Sequence, residues 1–325
     1  MLCGVSYCML CRERLIREKI TGILLMKEKT ALKPTVFFAA AACITAVTAS
    51  VFQYYLMYNN YYISDCLYAP GTVVPAVYHW LLFAVMVILG LSFFTADRER
   101  KELPPDNTAF IFISSMTAFM FVAQAIIYFV RSFSSGADKW LTASALLAVP
   151  AAVYFFFIVF GKPQSQNPRI VFGFFVIIWS AVTLLATHFD KTTPLNSPLR
   201  IQHQISLIFI MMFMLFELRY LLGIAMPRFY TAIACMVIPL TIIPAVCSAA
   251  FELMGYPVNP FGLFTYASEF CVGLFAAVRL LSGCLPQKTI TEPEPTTNEV
   301  LQSDTDTPPN SSDNALTSEK QKTYR

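Results

Sequence analysis

Residues 108–130 read TAFIFISSMTAFMFVAQAIIYFV, an uninterrupted stretch with no charged side chain. An α-helix rises about 1.5 Å per residue, so roughly 20 residues cross a hydrocarbon core about 30 Å thick. This stretch is long enough. A soluble fold breaks its apolar residues into short amphipathic segments, which this is not. Barrel strands are about 10 residues long and alternate polar with apolar side chains, and the stretch does neither. Lipid offers no partner to a free N–H or C=O, so the segment must close its backbone hydrogen bonds internally, as a helix does.

Moving outward, ADRERKELPPD at residues 96–106 precedes the stretch, and GKPQSQNP at 161–168 marks another polar break. Such clusters separate further apolar runs of similar length. The same ruler reads eight spans, at about 35–57, 74–95, 108–130, 140–160, 170–187, 203–224, 229–250 and 261–282, the fifth being the shortest. The expected fold is all-α, a polytopic transmembrane bundle over residues 35–283 whose first partner is the lipid bilayer. The connectors are too short to fold as a soluble catalytic domain.

Composition agrees. Hydrophobic residues make up 56% of the chain and charged residues 13%, with a mean hydropathy of +0.58; an ordinary soluble domain is about 25% charged. The formal charge of +3 is modest, and the basic residues are scattered without interleaved aromatics, which argues against nucleic acid as a partner. Of nine cysteines, Cys43, Cys235, Cys247 and Cys271 lie in apolar runs, where a thiol behaves as a small hydrophobe, and no disulfide framework is implied.

Lys and Arg near the span ends set the expected orientation. With the N-terminus inside, the inner side holds Arg98, Arg100, Lys101, Lys162, Arg169, Arg219, Arg228, Arg279 and Lys288 besides the N-terminal basic residues. The outer side holds Arg131, Lys139, Lys191 and Arg200. Setting aside everything before Met26 leaves about 12 against 4, so both termini are expected to be cytoplasmic. Residues 1–34 form a basic cytoplasmic segment in which Met26, followed by KEKT and an apolar span, reads as an alternative start of bacterial type. The expected location is a bacterial cytoplasmic membrane. Residues 284–325 turn to Thr, Glu, Pro, Asn, Ser and Asp, a mix too polar to fold, and are expected to be a disordered cytoplasmic tail. Tyr54, Tyr55, Tyr58, Tyr61, Tyr62 and Tyr68 around the first outer loop suit an interfacial aromatic belt.

Ionisable groups inside a bilayer cost about 2.5–3.5 kcal/mol each on insertion scales, so each needs a reason. Glu269 in the eighth span lies about 12 Å from Phe261, close to the midplane, and must be protonated or paired there. It is the candidate for a cation or proton site, against the alternative of a protonated side chain bonded to a neighbouring helix. Glu217 in the sixth span and Arg279 in the eighth lie at similar depths toward the inner side, which suggests an interhelical ion pair of structural role. Gln124, with Ser114, Ser115 and Thr117, fits ordinary interhelical hydrogen bonding. Pro239 and Pro244 make the seventh span the candidate for a broken or hinged helix.

His79, His188 and His203 fall at or near the expected outer interface with Asp65, Asp190 and Glu252, but no two histidines have helical ligand spacing, so no metal site is expected. Cys8 and Cys11 are half of a zinc motif with no complete ligand set nearby. No Walker loop, Gly-x-Ser-x-Gly elbow or His-Glu-x-x-His motif is present, and neither an enzymatic site nor a cofactor is expected. The leading expectation is a permease for a small solute or ion. The rival is a membrane sensor or scaffold acting through a protein partner of its tail.

Overall fold

The computed structural model describes residues 34–62, 66–95, 107–134, 139–160, 166–191, 193–255 and 262–282. The expectations for the N-terminal segment, the tail, Cys8, Cys11 and Asp65 lie outside the described residues. The elements in chain order are α1 (Pro34–Asn60), the short strands β1 (Tyr61–Tyr62) and β2 (Leu67–Tyr68), α2 (Val74–Gly90) with a 3-10 turn (Leu91–Phe94), α3 (Thr108–Ser134), α4 (Lys139–Phe160), α5 (Gln166–Phe189), α6 (Pro198–Leu221), α7 (Pro227–Leu253) and α8 (Leu263–Ser282). Eight helices are long and apolar enough to cross a bilayer, so the chain is an all-α multi-pass membrane protein.

The helix ends follow local chemistry. Proline occupies the first turn of α2, α6 and α7, where a missing N–H breaks no intrahelical bond. Asn107 caps α3, its Oδ1 accepting from the Phe110 N–H at 2.8 Å. Two boundaries differ from expectation. The fifth span is not the shortest, since α5 has 24 residues against 20 in α8. Its first turn is polar and contains Pro168, both tolerated at a helix start, and an apolar ruler misses it. Likewise α6 begins at Pro198, five residues before the expected boundary, because Arg200 and Gln202 continue the helix although they are polar.

The seventh span is not broken, for α7 runs as one helix through Pro239 and Pro244. It is enclosed by α1, α2, α6 and α8. In its apolar middle 78% of residues are buried against protein, compared with 22% in α2. Dense packing of this kind holds a helix together where a proline has removed a backbone bond. Gly273 on α8 brings the neighbouring backbone close, because a Cβ there would collide with Thr241 of α7.

Helices α3, α4, α5, α6, α7 and α8 pack in succession, and α8 returns to α3 to close a ring. Helices α1 and α2 lean on α7 from outside. Aromatic rings fill the middle of the ring of helices. Phe275 stands 4.9 Å from Phe110 and 5.3 Å from Phe155, and Phe121 stands 4.8 Å from Trp179, between ring centroids. The outer surface carries exposed Phe112, Phe119, Leu146 and Phe83, which only a lipid environment makes inexpensive.

One end of the bundle is marked by Asn60, Pro198 and Leu263, and is called here the Asn60 end. The tyrosine cluster there is divided. Tyr55, Tyr58 and Tyr62 are exposed as a belt requires, whereas Tyr61 is buried and pairs across the strands with Tyr68, their ring centroids 5.5 Å apart.

Candidate functional site

On α6, His203 and Ser206 are three residues apart and therefore share one helix face. That face meets α8 at Glu269. His203 Nδ1 lies 3.0 Å from Glu269 Oε1, and Ser206 Oγ donates to Glu269 Oε2 at 2.9 Å. All three side chains are fully buried, and Tyr266 sets its ring edge-on to the His203 imidazole at 5.3 Å. The cluster lies about 9 Å along α8 from Leu263. It therefore lies in the half of α8 nearer the Asn60 end.

His203 is thus the residue that sequence reasoning misplaced. Its apparent position at a span boundary put it beside His79 and His188 at the interface; the earlier start of α6 carries it into the bundle instead. The i, i+3 spacing of His203 and Ser206 in an apolar run was the available signal. The three histidines do not converge, since His188 is exposed and His79 faces α6 from α2. Among the described residues no group of three or more His, Cys, Asp and Glu side chains is arranged to hold a metal ion.

The residue before His203 faces the other way. Gln202 and Gln53 of α1 form a reciprocal amide pair, Gln53 Nε2 donating to Gln202 Oε1 at 2.6 Å and Gln202 Nε2 to Gln53 Oε1 at 3.2 Å. Tyr78 adds a hydroxyl donated to Gln53 Oε1 at 3.0 Å. His79 Nδ1 lies 2.6 Å from the Pro75 carbonyl, which can only accept, so Nδ1 carries a proton. In neutral His79, Nε2 then accepts from Gln202 Nε2 at 3.2 Å. Adjacent residues of α6 therefore tie α1 and α2 on one side and α8 on the other.

A cleft of about 790 Å³ runs between α2 and α6 and is floored by Met236 and Leu240 of α7. Gln202 and His79 lie on its wall, but Glu269 and His203 do not. Both side chains are closed off from solvent by the surrounding helices.

Toward the opposite end, Glu217 and Arg279 meet across the same two helices, with Arg279 Nε donating to Glu217 Oε1 at 3.1 Å. Tyr230 of α7 donates to Glu217 Oε2 at 2.7 Å, and the Arg279 guanidinium lies over the Phe110 ring at 4.1 Å. Both carboxylate oxygens and one guanidinium face are thereby occupied. Gln124 joins α3 to α8, its Oε1 accepting from Ser268 Oγ at 2.8 Å. Thr117 reaches the Cys271 carbonyl at 3.4 Å, whereas Ser114 bonds back to Phe110 of its own helix. Pro239 and Pro244 lie inside α7, buried among neighbours. Along α6 and α8 the order is the His203–Glu269 cluster, then Phe213 and Phe275, then the Glu217–Arg279 cluster, so an aromatic layer separates two polar centres. No protein-family model, curated protein or solved structure matches the chain.

Proposed function

We propose that this multi-pass membrane protein is a proton-linked permease for a small solute, with His203, Glu269 and Ser206 as the proton site. The observation that carries the reading is the imidazole and carboxyl 3.0 Å apart, both fully buried between two helices long and apolar enough to cross a bilayer. Neutral hydrogen bonds already join helices nearby. Ser268, the neighbour of Glu269, is bonded to Gln124, and such bonds hold bundles together at about 1 kcal/mol each. Ionisable groups among membrane-spanning helices are costly, and, unlike Glu217 with its arginine, Glu269 faces a group that can itself give up its proton. A carboxyl and an imidazole this close need only a small rotation to share a proton, and Ser206 holds the second carboxylate oxygen in place. The aromatic layer of Phe213, Phe275 and Phe155 would serve as the barrier between the two membrane faces. The closed interior corresponds to one state of a cycle in which α6 or α8 must shift to admit water.

The test is proton movement into liposomes that contain the purified full chain and an entrapped pH indicator, with a membrane potential imposed and small solutes screened. A solute that drives proton entry with the wild type and fails to do so with Glu269→Gln or His203→Phe supports the reading. Proton-coupled uptake unchanged in both variants removes the pair from the mechanism.

A further inference from the structure

We infer that the cleft between α2 and α6 binds a neutral, chain-bearing amphiphile drawn from the membrane leaflet on the Asn60 side. That this molecule is the solute carried rests on the permease reading; its binding does not. Three observations select the occupant.

The first is length. The cleft runs from Pro75 to Val87 on α2 and from Pro198 to Phe209 on α6, about 18 and 17 Å along the helix axes. Half of a hydrocarbon core is about 15 Å, so the cleft spans one leaflet from its interface to the midplane. Its volume of about 790 Å³ falls within the range of single small-molecule sites.

The second is the distribution of polarity. Among the described residues, polar groups line the cleft only toward the Asn60 end, at Tyr68, Thr72, Asn196, His79 and Gln202. Deeper, the wall is Met86, Phe209 and Leu240. An amphiphile lying with its head at the interface and its chain toward the midplane matches this division. The cleft opens beside the His79–Gln202 bond, because α2 packs mainly on α7 and α1.

The third is charge. Among the described residues no Asp, Glu, Lys or Arg lines the cleft, and the groups at its head are amides, the hydroxyls of Tyr68 and Thr72, and an imidazole. An anionic headgroup would lose its water without gaining a counter-charge, whereas hydroxyls and an ester carbonyl can donate to and accept from Tyr68, Thr72 and Asn196, His79 and Gln202 being engaged with each other. The chemistry fits a monoacylglycerol-like head better than a fatty acid or an anionic phospholipid.

The test uses the full chain in liposomes doped with a monoacylglycerol bearing a photoreactive diazirine in its chain, the labelled peptides being mapped by mass spectrometry. Labelling should concentrate on α2 and α6 and be competed by monoolein about tenfold more effectively than by oleate. Filling the cleft from lipid-exposed positions, by Ala76→Trp or Ile205→Trp, should abolish it without affecting folding. Glu269→Gln should label as the wild type does, so failure of the proton site leaves this inference standing. Labelling spread evenly around the bundle, or unchanged in both tryptophan variants, would mark ordinary annular lipid and overturn the proposal. Equal competition by oleate would overturn the neutral headgroup. A dimer with an unlabelled cleft would assign it to a second copy of the chain and equally overturn the proposal.

Discussion

His203 of α6 and Glu269 of α8 place Nδ1 and Oε1 3.0 Å apart with both side chains closed off from solvent and lipid. Removing either side chain therefore takes a buried polar contact from the other, while Ser206 still holds one carboxylate oxygen. His203→Phe is expected to lower stability in detergent by about 2 kcal/mol, with Glu269→Gln milder because an amide can still accept from Ser206. The double variant should cost less than the sum of the single ones. Thermal unfolding midpoints of the four proteins measure this, and strictly additive shifts would show that the two side chains do not interact.

The Glu217–Arg279 pair has a second carboxylate contact from Tyr230 and a ring under its guanidinium. Breaking such a pair from one side leaves an uncompensated buried charge, at a cost of about 3–5 kcal/mol. Arg279→Met is expected to approach that figure. Adding Glu217→Met should recover most of it, since a well-packed apolar pair is often as stable as the ions it replaces. Yield of folded protein after detergent extraction is a sufficient readout; no recovery in the double variant would argue that the ions themselves are needed.

Gly273 lets α7 and α8 approach closely, and a methyl group there meets the Thr241 side chain. Gly273→Ala should destabilise by about 1–3 kcal/mol through overpacking. Thr241→Ala removes the obstructing hydroxyl and should rescue part of the loss. Equal stability of Gly273→Ala and wild type would mean that the helices separate freely at this point.

Burial raises the hydroxyl pKa of Tyr61 and of Tyr68 above the ordinary 10.0, the neutral form being favoured where water is excluded. A group whose pKa is raised on folding contributes stability that is complete below its unfolded value and is lost as pH rises toward the folded one. The strand pair should therefore be insensitive to pH up to about 10 and loosen above it. Tyrosinate absorbance, compared between wild type, Tyr61→Phe and Tyr68→Phe, should show these two rings ionising after the exposed ones. Ionisation together with exposed Tyr62 would place both hydroxyls in water.

The extent of the bundle was legible from residues such as 108–130, because an apolar run long enough to cross a bilayer has few other stable uses. The depths of Glu217 and Arg279 were legible too, since rise per residue converts position into height. Height, however, says nothing about azimuth. In lipid, the faces turned toward the membrane and toward other helices are both apolar, so no amphipathic stripe marks which side of α6 looks at α8. Hence Glu269 stood out in the sequence while its partner did not, and Gln202 gave no sign that it faced α1 and α2.

The sequence by itself determined that the chain crosses a membrane as helices and roughly where each crossing lies, because hydropathy and length are properties of a segment alone. Only the tertiary structure decided that His203 belongs with Glu269, that α7 stays whole through two prolines, and that α2 stands off α6 to leave a cleft. Those are outcomes of helix packing. Packing among uniformly greasy surfaces is settled by close fit and a few polar contacts that distant parts of the chain make only when assembled.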